Sequence, residues 1–360
     1  MSDVPHLRFP EFSGEWNKYT INDLATVVGG GTPDTTVKSY WGGDIQWFTP
    51  SEIGKNKYVD FSKRTITRDG LDNSSAKLLP LHTILLSSRA TVGECSIASN
   101  ECTTNQGFQS LIAKQCNIDF LYYLIQTKKK DLIRNACGST FLEISANEIR
   151  KIKVAVPVQN EQEQIAKLLS LIDERIATQN KIIDKLKSLI KGIDEVVFQS
   201  CSKHCKLKEF DNQITAGRDK VEEGCFPLYG STGVIGTTAT PSYHEPLVLV
   251  ARVGSIGCVQ FVNIPCGVSD NTIVIRCGSK AKYVYYYLQN YNFERITSGT
   301  TQPLITAKDV KHIDIPIIDS ANDLKAINTL DTLNMKLELE SNLYNTILKQ
   351  KAFLLQQMFI

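Results

Sequence analysis

The residues best equipped for chemistry in this 360-residue chain are two arginines, each set before a glycine turn. Arg89 precedes Thr91 and Gly93, and Arg252 precedes Ser255 and Gly257. Matching the two runs by residue type places both arginines at one position of a repeated plan. A guanidinium offers a rigid fork of donors that fits the acceptor edge of guanine or a phosphate. An ion pair with an acid of the same domain is the other reading, and the residues leave both open. Small donors lie nearby in sequence. Gly138-Ser139-Thr140 and Gly299-Thr300-Thr301-Gln302 carry hydroxyls and backbone N–H groups suited to phosphate oxygens. A capping turn before the segment that follows is the competing reading there. Asn105, Gln106 and Asn271 carry amides that can pair with adenine or close a turn. Tyr229 and Ser231, with the loop from Trp47 to Ser51, complete the candidates.

Signatures of catalysis are missing. The triple glycine Gly29-Gly30-Gly31 runs into Thr32-Pro33 and lacks the Gly-Lys-Ser/Thr ending of a phosphate loop, so it reads as a turn. No His-Glu-x-x-His, Gly-x-Ser-x-Gly or Asn/Asp-Pro-Pro-Tyr/Phe motif occurs. A nuclease arrangement of carboxylates is not evident, and the five histidines are scattered. Cys201, His204 and Cys205 form the tightest metal-like cluster but lack a fourth ligand nearby, so no metal is expected. The ten cysteines include no Cys-x-x-Cys pair, which predicts reduced thiols and a cytoplasmic location. No apolar run is long enough for a bilayer, and the first residues carry no signal-peptide core. Net charge is +2, so nothing resembles a basic nucleic-acid coat. Lys128-Lys129-Lys130 reads as a solvated face or as a phosphate contact.

The elements that would position these loops are more legible. Between Glu161 and Gln199 there is no proline, and a 4-3 spacing selects Ile165, Leu169, Ile172, Ile176, Gln179, Ile183, Leu186, Ile190, Ile193 and Val197. Only Gln179 in that series is polar, so the series predicts a coiled-coil seam on a helix roughly 60 Å long. A flanking stripe of Leu168, Ile182, Leu189 and Val196 is expected to meet a partner subunit or the base of a domain. The segment 138–157 reappears at 299–318, an offset of 161 residues, with Gly138, Ile144 and Ile152 matching Gly299, Ile305 and Ile313. The same offset carries the seam onto Ala326, Leu330, Leu333, Leu337, Glu340, Tyr344, Ile347, Lys351, Leu354 and Met358. Short β-type runs such as Ile45-Gln46-Trp47-Phe48 and Thr83-Ile84-Leu85-Leu86 fill the first domain, which predicts a compact, mostly antiparallel β domain. The chain is therefore expected to alternate domain, long helix, domain, long helix. Antiparallel pairing of the helices would bring Gln179 and Glu340 into neighbouring layers.

Taken together, Pro5-x-Leu7-Arg8-Phe9-Pro10 with Trp16, the Arg89–Gly93 turn, Gly138-Ser139-Thr140, and Pro157 followed by Glu161-Gln162 resemble the specificity subunit of type I restriction–modification systems. Phe226-Pro227-Leu228-Tyr229-Gly230-Ser231-Thr232-Gly233 resembles an opening of that family's recognition domains. The second helix departs from the pattern, starting Asp319-Ser320-Ala321 without the Pro…Glu-Gln entry. The resemblance implies an α+β fold with pseudo-twofold symmetry: target recognition domains at 1–157 and 201–318, and spacer helices at 158–200 and 319–360 forming an antiparallel coiled coil. It implies a non-catalytic, DNA-binding subunit with no cofactor of its own, reading a bipartite asymmetric sequence in double-stranded DNA. Two modification subunits would bring S-adenosylmethionine, and a restriction or motor subunit would bring ATP and magnesium. No membrane partner is implied. A coiled-coil scaffold without DNA recognition is the alternative, with a stand-alone methyltransferase or nuclease behind it.

Overall fold

The computed structural model describes residues 4–138, 142–199, 203–210, 213–299, 303–317 and 321–360. Two compact units divide the chain: Met1–Lys181 with Asn342–Ile360, and Ile182–Ser341.

The first unit holds a five-stranded sheet in the order Ala25–Gly29, Gln109–Ala113, Ile84–Leu86, Cys95–Ala98, Tyr58–Val59. Ile84-Leu85-Leu86 is fully buried on both faces. Period-two geometry sends Ile84 and Leu86 into the main core and Leu85 into a smaller one with Phe48, Leu79 and Phe108. A three-stranded sheet runs Arg64–Ile66, Trp41–Phe48, Cys102–Thr104, its middle strand antiparallel to the first and parallel to the last. The helix Ile118–Thr127 covers the main core with Phe120, Leu121 and Leu124, all 0% exposed. It starts where the Asn117 side chain accepts from Phe120 N–H at 3.0 Å, an N-cap. Strand Asn17–Thr20 pairs with Lys153–Val156 and closes the domain beside the long helix.

The second unit repeats this order. Its four-stranded sheet runs Ile214–Ala216, Thr272–Ile275, Leu247–Ala251, Val259–Val262. Its three-stranded sheet runs Gly233–Thr238, Phe226–Gly230, Gly267–Val268, again with one antiparallel and one parallel neighbour. His204–Lys206 pairs with Asp314–Pro316 as Asn17–Thr20 pairs with Lys153–Val156. Among the described residues the first sheet alone has the edge strand Tyr58–Val59.

The triple glycine serves packing. Gly29 ends a strand, and a Cβ on Gly30 would fall 2.0 Å from Asn105 O, one on Gly31 2.3 Å from Ala76 N. Only glycine lets these backbones touch.

The two long helices are Gln159–Gln199 and Ala321–Gln357. Every seam position of both is buried or half-buried, while Leu171, Leu189 and Val196 between seam positions are exposed. Within the first unit Ile165 and Leu169 share a core with Leu354 and Met358, and Asp173 meets Lys351 at 2.6 Å, so the helices run antiparallel. Within the second, Ile190, Ile193 and Val197 pack with Ala326, Ile327 and Leu330 in the same sense. Each buried Leu or Ile of such a seam contributes about 1.5–3 kcal/mol of apolar burial. Gln179 is buried and Glu340 half-buried. Of the flanking stripe, Leu168 packs on the core of its own domain, Ile182 is half-buried, and Leu189 and Val196 are exposed. Among the described residues no helix is long and apolar enough to cross a membrane.

Candidate nucleic-acid interface

The loops around the two arginines are fixed by backbone hydrogen bonds that can be compared copy by copy. In the first unit Ser88 N–H donates to Gly107 O, Gly93 N–H to Ser87 O and Ile144 N–H to Ser88 O, at 2.8, 3.0 and 2.9 Å. In the second, Arg252 N–H donates to Asn271 O, Gly257 N–H to Ala251 O and Ile305 N–H to Arg252 O, at 3.1, 3.1 and 3.0 Å. Arg252 therefore occupies the place of Ser88, and the counterpart of Arg89 is Val253. The expectation that the two arginines share a position is corrected by one residue. Likewise Asn271 answers to Gly107, while Asn105 answers to Ser269, since Asn105 N–H donates to Phe48 O and Ser269 N–H to Tyr229 O. Aligning by residue type ignored the hydrogen-bond register. In extended chain a slip of one residue turns the side chain to the other face.

The two guanidinium groups meet different surroundings as a result. Arg89 Nη2 lies 2.8 and 2.7 Å from the two carboxylate oxygens of Glu143. The pair is about two-fifths exposed. Glu143 is held opposite by a β-bridge to Arg89 and by reciprocal 2.9 Å bonds with Cys137. In the second copy Ser298 and Leu304 exchange the same reciprocal bonds, so Leu304 stands where Glu143 does. Arg252 donates from Nη1 to Asp270 O at 3.4 Å, and its Nε is buried without an acceptor. Among the described residues no carboxylate forms an ion pair with it.

The remaining candidates fall into two clusters, one in each unit. In the first, Asn105 Oδ1 accepts from Gly107 N–H at 2.9 Å, so its carbonyl closes a turn, and the exposed Gln106 accepts from Thr32. The Thr91 hydroxyl lies 3.0 Å from Ser87 Oγ. In the second, Ser231 Oγ lies 3.3 Å from both Val253 O and Asn271 O, which ties three loops together. Gln260 Nε2 donates to Gly230 O and Ser231 O at 2.9 and 3.1 Å. Tyr229 is half-buried in its strand, and burial pushes its phenol pKa up. Ser255 and Asn271 are exposed. Ser139, Thr140, Thr300, Thr301 and Gln302 lie outside the described residues, as does Cys201.

Some site features escaped sequence reasoning. Arg64 stacks on Trp41, 3.6 Å from the ring centroid, and lies 5.5 Å from Trp47. The even spacing of two tryptophans along one strand was the available signal. The anchor of the first domain was also only half read. Arg8 and Trp16 both donate to Glu161, while Gln162 Oε1 accepts from Asn117 N–H at 3.0 Å and Gln162 Nε2 donates to Pro157 O at 2.9 Å. The Glu-Gln pair at the helix entry is thus a two-sided socket for the domain. A second contact follows two to three helix turns on. Tyr123 OH donates to Asp173 at 2.6 Å, and Lys57 Nζ donates to Ser170 at 2.6 Å. In the second unit Tyr286 OH and Lys282 Nζ both reach Asp331, at 3.0 and 2.5 Å. Ser170 and Asp331 are 161 residues apart, the same offset as the seam repeat.

Known proteins resemble this chain. The 183-residue stretch matching the MjaIX type I restriction enzyme specificity subunit of Methanocaldococcus jannaschii is 39% identical and covers 48% of this chain and 42% of that protein. The EcoR124I/EcoR124II specificity subunit of Escherichia coli is 29% identical over 46% of this chain and 43% of that protein. The chain thus matches less than half the length of both. The EcoprrI specificity subunit of Escherichia coli is 22% identical over 89% of this chain and 88% of that protein. A crystal structure of a type I restriction–modification S subunit from M. genitalium superposes with a TM-score of 0.70 at 21% identity, covering 99% of each chain, which supports the fold. The family model described as type I restriction modification DNA specificity domain matches twice, at residues 13–188 and 205–349. With both halves matched, the chain belongs to the type I restriction modification DNA specificity domain family.

Proposed function

We propose that this chain is the non-catalytic specificity subunit of a type I restriction–modification complex. In this reading each domain recognises one part of a bipartite DNA sequence, and the exposed faces of the long helices dock two modification subunits. Those subunits supply S-adenosylmethionine and the methyl-transfer chemistry, and a motor subunit supplies ATP and magnesium. The observation that carries the reading is the duplication: one strand order appears twice, each copy anchored to a long helix and each matched by the same family. A near-neutral chain is compatible with it, because ionic grip on DNA can come from local groups and from enclosing partners. The loops fit the role chemically. They present arginines, small hydroxyls and amides on rigid strand ends, the groups that position phosphates and read base edges.

The test is co-expression with a modification subunit, purification of the complex and mapping of methylated positions on genomic DNA. The expected site is two short blocks separated by unspecified bases, and exchanging residues 201–318 for another recognition domain alters one block only. A single uninterrupted block, or failure of the subunits to co-purify, overturns the proposal. S-adenosylmethionine binding by the purified chain alone would favour a stand-alone methyltransferase.

A further inference from the structure

We infer that the two domains hold DNA phosphates unequally: Arg252 makes an ionic phosphate contact in the second, whereas Glu143 withholds Arg89 from such a contact in the first. The inference rests on the DNA-recognition reading above. Its basis is the one-residue difference between the copies. Arg89 already has a carboxylate partner, both of whose oxygens lie 2.7–2.8 Å from Nη2, so that nitrogen is occupied and the charge is offset. A phosphate approaching Arg89 would meet Glu143 beside it as a like charge. Arg252 has no such partner among the described residues: it stands at the position of Ser88, and the places of Arg89 and Glu143 are taken by Val253 and Leu304. The nearest acceptor, Asp270 O, is a neutral carbonyl at 3.4 Å, at the long end for a hydrogen bond.

The orientation of Arg252 is constrained as well. Its Nε is buried and unpartnered, so the side-on fork of Nε and Nη is unavailable and a ligand would have to meet the terminal nitrogens. The loop of Arg252 also carries exposed Ser255, the Arg252 backbone N–H donates to Asn271 O, and Ser231 Oγ lies 3.3 Å from that same carbonyl, so one charge and several neutral donors share this loop cluster. That composition suits a phosphate, which is anionic and accepts from several directions.

The experiment measures binding of the chain, assembled with its modification subunit, to a short labelled duplex carrying the mapped site, as a function of salt. Each phosphate neutralised contributes about 0.9 to the slope of log K against log salt. Arg252→Gln is expected to lower the slope by about one, and Arg252→Lys to keep it. The paired change Arg89→Gln with Glu143→Gln leaves the slope unchanged, and Glu143→Gln alone raises it by about one. Equal loss of slope from Arg252→Gln and from the paired change overturns the inference, as does an unchanged slope in Arg252→Gln with altered sequence preference, which would mark a base contact. Absence of site-specific binding by the wild-type complex removes the recognition reading itself, and the inference with it. Circular dichroism of each variant separates loss of contact from loss of fold, and Arg252→Met keeps the test decisive if Arg252→Gln does not fold, because it too removes the charge.

Discussion

Arg8 forks onto Glu161, its Nε and Nη2 each 2.7 Å from a carboxylate oxygen, although the two residues are 153 positions apart. Glu161 is fully buried in the first turn of the long helix, and Trp16 donates to it as well, at 3.3 Å. A carboxylate near a helix N-terminus gains from the macrodipole, but burial without a cation would be costly. The pair therefore joins the lead-in to the helix on which the first domain rests. Arg8→Met is expected to destabilise the first unit by about 3–5 kcal/mol, because it strands a buried charge. Arg8→Met with Glu161→Gln should recover much of that loss, since the amide oxygen can still accept from Trp16. Urea unfolding followed by tryptophan fluorescence reads both; a loss below about 1 kcal/mol in the single variant would show the carboxylate to be solvated.

Lys351 stands at a seam position where an apolar residue is expected, and the structure gives it a reason. Its ammonium meets Asp173 at 2.6 Å, each side chain 18% exposed, and Asp173 also accepts from Tyr123 of the domain. One carboxylate thus links both helices and the first globular domain. A double-mutant cycle of Lys351→Met and Asp173→Asn is expected to give a coupling of about 1–3 kcal/mol. Tyr123→Phe should lower stability by about 1 kcal/mol. Additive single losses would place the three groups in separate solvated contacts.

How much of this was legible follows from the kind of information each feature needs. The seam was, because a 3.5-residue period constrains every position by itself, and all twenty proposed seam residues are at least half-buried. The strand Ile84–Leu86 was legible for the same local reason. The Arg89–Glu143 partnership was open to either reading, because choosing between them needs the register of a bridge 54 residues long in sequence. The one-residue slip between Arg89 and Arg252 could not be seen from residue types at all. It is set by which N–H reaches which carbonyl across the turn. Arg8 and Glu161 were both noticed as motif residues, yet nothing in the sequence says that they touch.

Glycines separate the packing sites from the free ones. A Cβ on Gly31 would lie 2.3 Å from Ala76 N and 2.4 Å from Ser75 C, both backbone atoms that cannot swing away. Gly31→Ala should therefore cost about 1–3 kcal/mol or prevent folding. Gly192, exposed in the first long helix with nothing within 4 Å of its added Cβ, is the opposite case. Gly192→Ala should stabilise by about 0.5–1 kcal/mol through the lower entropy of the unfolded chain. Thermal denaturation of the two variants should shift in opposite directions, and a loss in Gly192→Ala would mean that this helix face is packed.

Asp194 gives the fold a pH dependence whose sign is fixed by its surroundings. It lies beside the seam in the second unit, where burial raises its carboxyl pKa, partly offset by the Asn290 amide donating at 3.1 Å. Its other oxygen is buried without a partner. A raised folded-state pKa means that ionisation opposes folding. The penalty is present at neutral pH, shrinks as pH falls through the folded pKa, and is gone below the unfolded value of about 3.9. Asp194→Asn removes it. The variant should therefore be more stable than the native chain at neutral pH, by no more than about 1 kcal/mol because the group is near solvent. The two stabilities should converge as the pH approaches about 4. Urea midpoints measured across that range decide the matter: a variant less stable at neutral pH, or a difference that grows on acidification, would show that the Asn290 bond outweighs the cost of burial.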